Sequence, residues 1–193
     1  MCGICGWVSL SENIINPNVL KRMVSVLRHR GPDDLGYWYS KNIALGHTRL
    51  SIIDLNSGDQ PMSDKHGRAI VFNGEIYNYR EVRRILINSG VDFFTQSDTE
   101  VVLEAYKKWG EECVGRLDGM FAFAIADPGK RRLFLARDRF GKKPLHYFNE
   151  NGNFIFASEI KSILQHELVR STVDVDNRSL VDYLSVGYTL SPK

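Results

Sequence analysis

The stretch whose reading decides the fold is the first one, Met1-Cys2-Gly3-Ile4-Cys5-Gly6, continued by Trp7-Val8-Ser9-Leu10. Cys2 and Cys5 stand in C-x-x-C spacing, which suggests a redox pair or half of a zinc site. A redox pair takes its low thiolate pKa from a helix N-terminus or a cationic neighbour, whereas the residues that follow here read as a strand. If the strand reaches back to the terminus, alternation sends Cys2 and Cys5 to opposite faces. A structural zinc site needs four ligands. Only Cys113 remains, and the histidines at 29, 47, 66, 146 and 166 form no H-x₃₋₅-H pair. On this reading there is no metal, and Cys5 is a small packing residue.

Cys2 has a second use, because it follows the initiator methionine. Removal of Met1 leaves Cys2 with a free α-amine beside its thiol. That amine has a reference pKa of about 7.7–8.0, so on the order of a tenth is unprotonated at pH 7, close to where a general base works best. A thiol beside such a base needs only modest help to react. A nucleophile and a base in one residue is the N-terminal-amine form of nucleophilic catalysis, and Gly3 lets a substrate approach closely.

The rest of the chain suits such a residue. Its 193 residues are read as one domain with a real core, and 43% hydrophobic with 25% charged residues is the balance of an ordinary globular protein. A net charge of +2 gives no sign of nucleic acid. No apolar run approaches the ~20 residues of a membrane span, and the terminus does not read as a signal peptide. Three cysteines, an odd number, point to a reducing compartment and a cytoplasmic setting.

The pattern is that of an α+β protein. Strands are expected at Ile4–Leu10, Gly36–Tyr39, Ile43–His47, Leu50–Asp54 and Ala69–Phe72. A helix opens at Asn16-Pro17 and stops at Gly31-Pro32. Helices follow from about Asn78 to Asn88 and from Ser97-Asp98-Thr99-Glu100, read as a capping box. Met120–Ala126, Leu133–Arg137, Leu145–Phe148 and Phe154–Ala157 read as an antiparallel meander, with short helices at Ser158–Gln165 and Asn177–Ser185. Strands, helices and strands in that order suggest sheets layered with helices. The final residues, 186–193, read as the start of a linker after a domain spanning 1–185.

Several residues could complete a site around Cys2. Asn73-Gly74 is a strong turn dipeptide, yet the Asn73 amide and the Gly74 N–H could both be aimed at one oxyanion. Arg49, in an otherwise apolar run, offers a planar fork for a carboxylate. Asp98 suits a helix start by its charge alone, and it could also hold an ammonium. Arg49, Glu75 and Asp98 together would grip the two charged ends of an amino acid.

Seven motifs in order carry a resemblance over essentially the whole chain: MCGICG, RHRGPDD (28–34), HTRLSIIDL (47–55), GDQPM (58–62), FNGEIYNY (72–79), SDTE (97–100) and RDRFGKKPLHY (137–147). Together they resemble the glutaminase domain of glutamine-hydrolysing asparagine synthetases, which are class II amidotransferases of the N-terminal-nucleophile hydrolase fold. The resemblance implies a four-layer αββα sandwich with two antiparallel sheets between helix layers. It implies Cys2 as nucleophile, Asn73 and Gly74 as oxyanion donors, and Arg49 on the substrate carboxylate. Glu75 and Asp98 would then hold the ammonium, with Leu50, Ser51, Ile52 and Ile53 as pocket lining.

The implied substrate is L-glutamine, with no cofactor for that step. ATP and Mg²⁺ are expected only in an ATP-dependent synthetase domain beyond this chain, which would use the ammonia to make asparagine. No nucleic acid or membrane partner is implied, and a homodimer is left open. Two other readings stand beside this one: a metal- or redox-binding module built on Cys2 and Cys5, and a truncated, non-catalytic regulatory domain.

Overall fold

A computed structural model describes residues 1–10, 15–50 and 58–190 of the chain. Its described strands, in chain order, begin with β1 (Gly3–Ser9), β2 (Asp34–Tyr39), β3 (Ile43–Arg49), β4 (Met62–Ser63) and β5 (Ala69–Ile76). β6 (Gly119–Asp127), β7 (Arg132–Arg137), β8 (His146–Glu150) and β9 (Asn153–Ala157) follow. They form two antiparallel sheets: a five-stranded one ordered β2-β3-β1-β9-β8 and a four-stranded one ordered β4-β5-β6-β7. The helices are α1 (Pro17–Ser25), α2 (Tyr79–Ile87), α3 (Asp98–Trp109), α4 (Ile160–Ile163), α5 (Glu167–Thr172) and α6 (Asn177–Val186).

Period-2 alternation assembles these elements into four layers. Ile4 and Val8 of β1 and Ile43 and Leu45 of β3 meet Ala69 and Val71 of β5 and Ala122, Ala124 and Ala126 of β6 between the sheets. The opposite face of the first sheet, with Cys5, Trp7 and Ala44, packs on Leu20, Met23 and Val24 of α1. The outer face of the second, with Ile70, Phe72 and Phe123, packs on Leu86 of α2 and Val102 and Tyr106 of α3. Each fully buried Leu or Ile contributes about 1.5–3 kcal/mol. The result is the expected αββα sandwich. Cys5 lies on the helix side of β1, as alternation from the terminus requires.

Local chemistry explains where the helices start. Asn16 accepts from the Asn18 N–H at 2.9 Å, and Pro17 begins α1. Ser97 caps α3 by accepting from the Thr99 N–H at 3.1 Å. The expected capping box is only half made. Glu100 reaches past Ser97 to the N–H groups of Phe94, at 2.9 Å, and Thr95, at 2.7 Å.

Asn73-Gly74 is likewise not a turn. β5 runs straight through it to Ile76, with Asn73 opposite Ala122 and Gly74 opposite Phe121. The local hairpin preference gives way to pairing with β6. A Cβ on Gly74 would lie 2.2 Å from the Met120 carbonyl oxygen. The short strand β4 and helix α5 were not anticipated, and the expected strand at Leu50–Asp54 falls mostly outside the described residues.

Candidate active site

Cys2, Arg49, Leu50, Asn73, Gly74, Glu75 and Asp98 line one cleft at one end of the inter-sheet layer, with Met1, Gln60, Thr99, Met120 and Lys143. Ser51, Ile52 and Ile53, expected as lining, lie outside the described residues.

The five-stranded sheet supplies Cys2 and Arg49. β1 pairs with β3 as far as Gly3 opposite Thr48, which leaves Cys2 just past the ladder. Its Sγ sits against the Leu50 backbone, 3.4 Å from the N–H and 3.7 Å from the carbonyl oxygen. Arg49, at the end of β3, is buried and donates from Nη1 to Asp59 at 2.7 Å.

The four-stranded sheet supplies the donors. The Asn73 side chain is 1% exposed and its Nδ2 has no hydrogen-bond partner among the described residues. An unsatisfied buried donor costs about 1–3 kcal/mol, so its retention in the cleft wall calls for an acceptor there. On the open edge of β5, the Phe72 N–H donates to Gln60 Oε1 at 2.7 Å and the Ile76 N–H to Asp98 Oδ2 at 3.1 Å. Alternation in an antiparallel ladder turns the Gly74 N–H, midway between them, the same way. Asn73 and Gly74 therefore present two donors from a strand edge.

Two bridges fasten the start of α3 to this edge. Asp98 is one, and Gln60 is the other, donating from Nε2 to Thr99 Oγ1 at 3.2 Å while accepting from Phe72. Burial raises the Asp98 carboxyl to about 6, although N–H groups of Ile76 and Thr99 oppose the shift. Behind Asn73, His47 bonds through Nε2 to the Phe72 carbonyl at 3.2 Å, and burial holds its pKa down at about 4. It is neutral at pH 7.

Lys143 closes another wall. Asp138 accepts from the N–H groups of Phe140, Lys142 and Lys143, and Arg137 donates to the carbonyls of Gly141 and Lys143. This fixed loop carries the Lys143 side chain inward, where burial and the nearby Arg30 lower its pKa. Gln60 and Lys143 both sit in motifs noted above, but no spacing rule singles them out as cleft residues.

Cys5 takes no part. Burial pushes its thiol up to about 12, and it packs among α1 side chains. Among the described residues no group of three or more His, Cys, Asp or Glu could hold a metal ion, and no described helix is long and apolar enough to cross a membrane.

Comparison with known proteins identifies the family. Residues 1–193 match the family model described as a glutamine amidotransferase domain. Asparagine synthetase (glutamine-hydrolyzing) 3 of Bacillus subtilis is 42% identical over 196 residues, covering 100% of this chain and 32% of that protein. A putative asparagine synthetase (glutamine-hydrolyzing) 2 of Methanocaldococcus jannaschii is 37% identical over 212 residues, covering 100% of this chain and 40% of that protein. The chain thus spans well under half the length of these relatives.

Among solved structures, glutamine phosphoribosylpyrophosphate amidotransferase of B. subtilis superposes with TM-score 0.68 at 23% identity, over 84% of this chain and 43% of that one. At that identity the likeness speaks for the fold alone. With a family model matched from end to end and relatives aligned over its full length, the chain belongs to the glutamine amidotransferase domain family.

Proposed function

We propose that this domain hydrolyses L-glutamine to glutamate and ammonia through a thioester on Cys2, once Met1 has been removed. The observation that carries the reading is the buried Asn73 Nδ2, without a partner among the described residues, in the same cleft as the Cys2 thiol. Cys2 Sγ attacks the side-chain amide carbon of glutamine while the Cys2 α-amine takes the thiol proton. The oxyanion is held by Asn73 Nδ2 and the Gly74 N–H. The α-ammonium returns the proton to the leaving nitrogen, and ammonia departs as the tetrahedral intermediate collapses to the thioester. Water, deprotonated by the same amine, then cleaves the thioester and releases glutamate.

Arg49 takes the substrate carboxylate, exchanging Asp59 for it, and Asp98 with Glu75 takes the ammonium. The relatives' names support a synthetase partner domain beyond residue 193, to which the ammonia would pass for transfer to aspartate. ATP and Mg²⁺ belong to that partner. Residues 1–185 would form the hydrolytic unit and 186–193 the start of the connection, in a cytoplasmic protein.

The test is ammonia release from glutamine by protein whose mass shows Met1 absent, set against Cys2→Ala. Equal rates in the two would sink the assignment. The redox or metal reading requires Cys5 to share chemistry with Cys2, and the buried placement of Cys5 in the helix-side core argues against it.

A further inference from the structure

A polar chain reaches the Cys2 backbone from outside the cleft. Arg30, in the loop after α1, donates from Nε to the Cys2 carbonyl oxygen at 2.9 Å. Its Nη1 donates to Glu159 Oε1 at 3.0 Å, and the Arg30 side chain is only 9% exposed. Glu159 lies two residues beyond the end of β9 and also receives His29 Nε2 at 2.8 Å and Lys161 Nζ at 3.1 Å. Burial would raise the Glu159 carboxyl, but the hydrogen bonds from Arg30, Lys161 and His29 outweigh it and hold the pKa at about 2.

The anchors of this chain are themselves fixed. Next to Glu159, the Ser158 N–H donates to the Ile4 carbonyl at 2.8 Å and Ser158 Oγ accepts from the Ile4 N–H at 3.0 Å. The Arg30 loop is pressed on β3, where a Cβ on Gly31 would sit 2.4 Å from the Thr48 carbonyl carbon.

We propose that Glu159 is a positioning residue for the N-terminal nucleophile: it holds the Arg30 guanidinium on the Cys2 carbonyl and so fixes the direction of the Cys2 amine and thiol. Cys2 is past the end of the β1–β3 ladder; Leu50 touches its thiol, and the Arg30 bond is what holds its backbone carbonyl. An amine that must take a proton from its own side chain and return it to a leaving group depends on that direction. The proposal rests on the hydrolytic reading above for its kinetic consequences, but not for its geometry.

The experiment uses Met1-processed protein and four variants: Glu159→Ala, Glu159→Gln, Arg30→Ala and the Arg30→Ala/Glu159→Ala double. Glu159→Ala is expected to lower kcat by about 10- to 100-fold, as misplacement of a reacting group does, with KM for glutamine within about twofold. The double variant is expected to be no slower than Arg30→Ala alone, because both substitutions cut one chain. Glu159→Gln keeps the shape and one acceptor, and falls between. An unchanged kcat in Glu159→Ala, or additive losses in the double, overturns the proposal.

A second readout is independent of turnover and of the fate of the alanine variant. Cysteine labelled with ¹³C at the carbonyl gives a Cys2 resonance, assigned by its loss in Cys2→Ser. The same displacement is expected in Arg30→Ala and Glu159→Ala, with a smaller one in Glu159→Gln. A resonance that moves in Arg30→Ala but in neither Glu159 variant overturns the proposal. If processed wild type releases no ammonia from glutamine, the hydrolytic reading falls, and the carbonyl resonance still decides the tie.

Discussion

The rows of side chains that face the inter-sheet layer start alike and end differently. On β3 the row reads Ile43, Leu45, His47, Arg49; on β1 it reads Val8, Gly6, Ile4 and then Cys2; on β5 it reads Ala69, Val71, Asn73, Glu75. At one mouth of the layer the inward side chains are apolar, Val8, Ile43, Leu133, Leu135 and Phe154, under a rim of Ser40, Lys41, Asn42 and Arg131. At the other, the same strands in the same alternation present a thiol, a guanidinium, an amide and a carboxylate.

The difference teaches that the site needs no scaffold of its own. Changing the last one or two inward positions of each strand supplies the thiol, guanidinium, amide and one carboxylate, and α3 and the Lys143 loop add the rest. The apolar half is also what gives the polar half its character, since burial is the largest influence on both Asp98 and His47.

The largest test of this division sets Cys2→Ala against Leu45→Ala. Loss of the nucleophile is expected to lower glutamine hydrolysis at least about 10⁴-fold while the urea midpoint stays near wild type. Leu45→Ala, at a fully buried position, is expected to cost about 2–5 kcal/mol of stability with kcat of the folded fraction unchanged. A comparable kcat loss in both would mean that the two ends are not separable.

Asn73→Ala sharpens the contrast within the polar end. It is expected to lower kcat about 10²- to 10³-fold without loss of stability, because Asn73 Nδ2 has no described partner to forfeit. Gln60→Ala strips the Phe72 N–H and Thr99 of their partner and should instead cost about 1–3 kcal/mol in urea unfolding.

A smaller effect concerns substrate affinity. As pH falls through about 6, Asp98 takes up a proton and loses the charge that would hold an ammonium. KM for glutamine should rise by up to ~10-fold per pH unit below that point, since each unit is 1.36 kcal/mol. In Asp98→Asn it should be high and flat. A wild-type KM constant from pH 7 to 5 would remove Asp98 from the ammonium.

The smallest effect is on stability, where two groups oppose one another. His47 has its pKa lowered from 6.5 to about 4, so its contribution is complete above pH 6.5 and is lost as pH falls towards 4. Asp98 has its pKa raised from 3.8 to about 6, so the folded state binds the extra proton and gains stability as pH falls over nearly the same window. Together they leave a shallow slope. Asp98→Asn should uncover the His47 term, seen as a steeper fall in urea midpoint from pH 6.5 to about 4.5.

Alternation made much of this legible beforehand. Cys2 and Cys5 part company because β1 begins at Gly3, and Asp98 is where a helix start should be. What could not be read are positions set by partners far along the chain. Asn73-Gly74 carries a turn preference that acts locally, and only the β6 strand, more than forty residues later, holds it extended. Glu100 satisfies a cap pattern, yet its carboxylate finds the loop backbone at Phe94 and Thr95 instead. Gln60 and Lys143, which meet in the cleft, and Arg30 and Glu159, which meet outside it, come from four separate segments, and nothing in their spacing pairs them.

β1 is the middle strand of its sheet, between β3 and β9. Residues 5–9 therefore complete their ladder with residues 153–157, and Ile4 is bonded to Ser158. During synthesis the terminus emerges before β9 exists, so until residues 153–157 follow it β1 has one unpaired edge of N–H and carbonyl groups. Such an edge invites strand pairing with other chains. A chain cut short before residue 153 would keep the β3 pairing beside Cys2 and lack both the β9 pairing and the Glu159 tie.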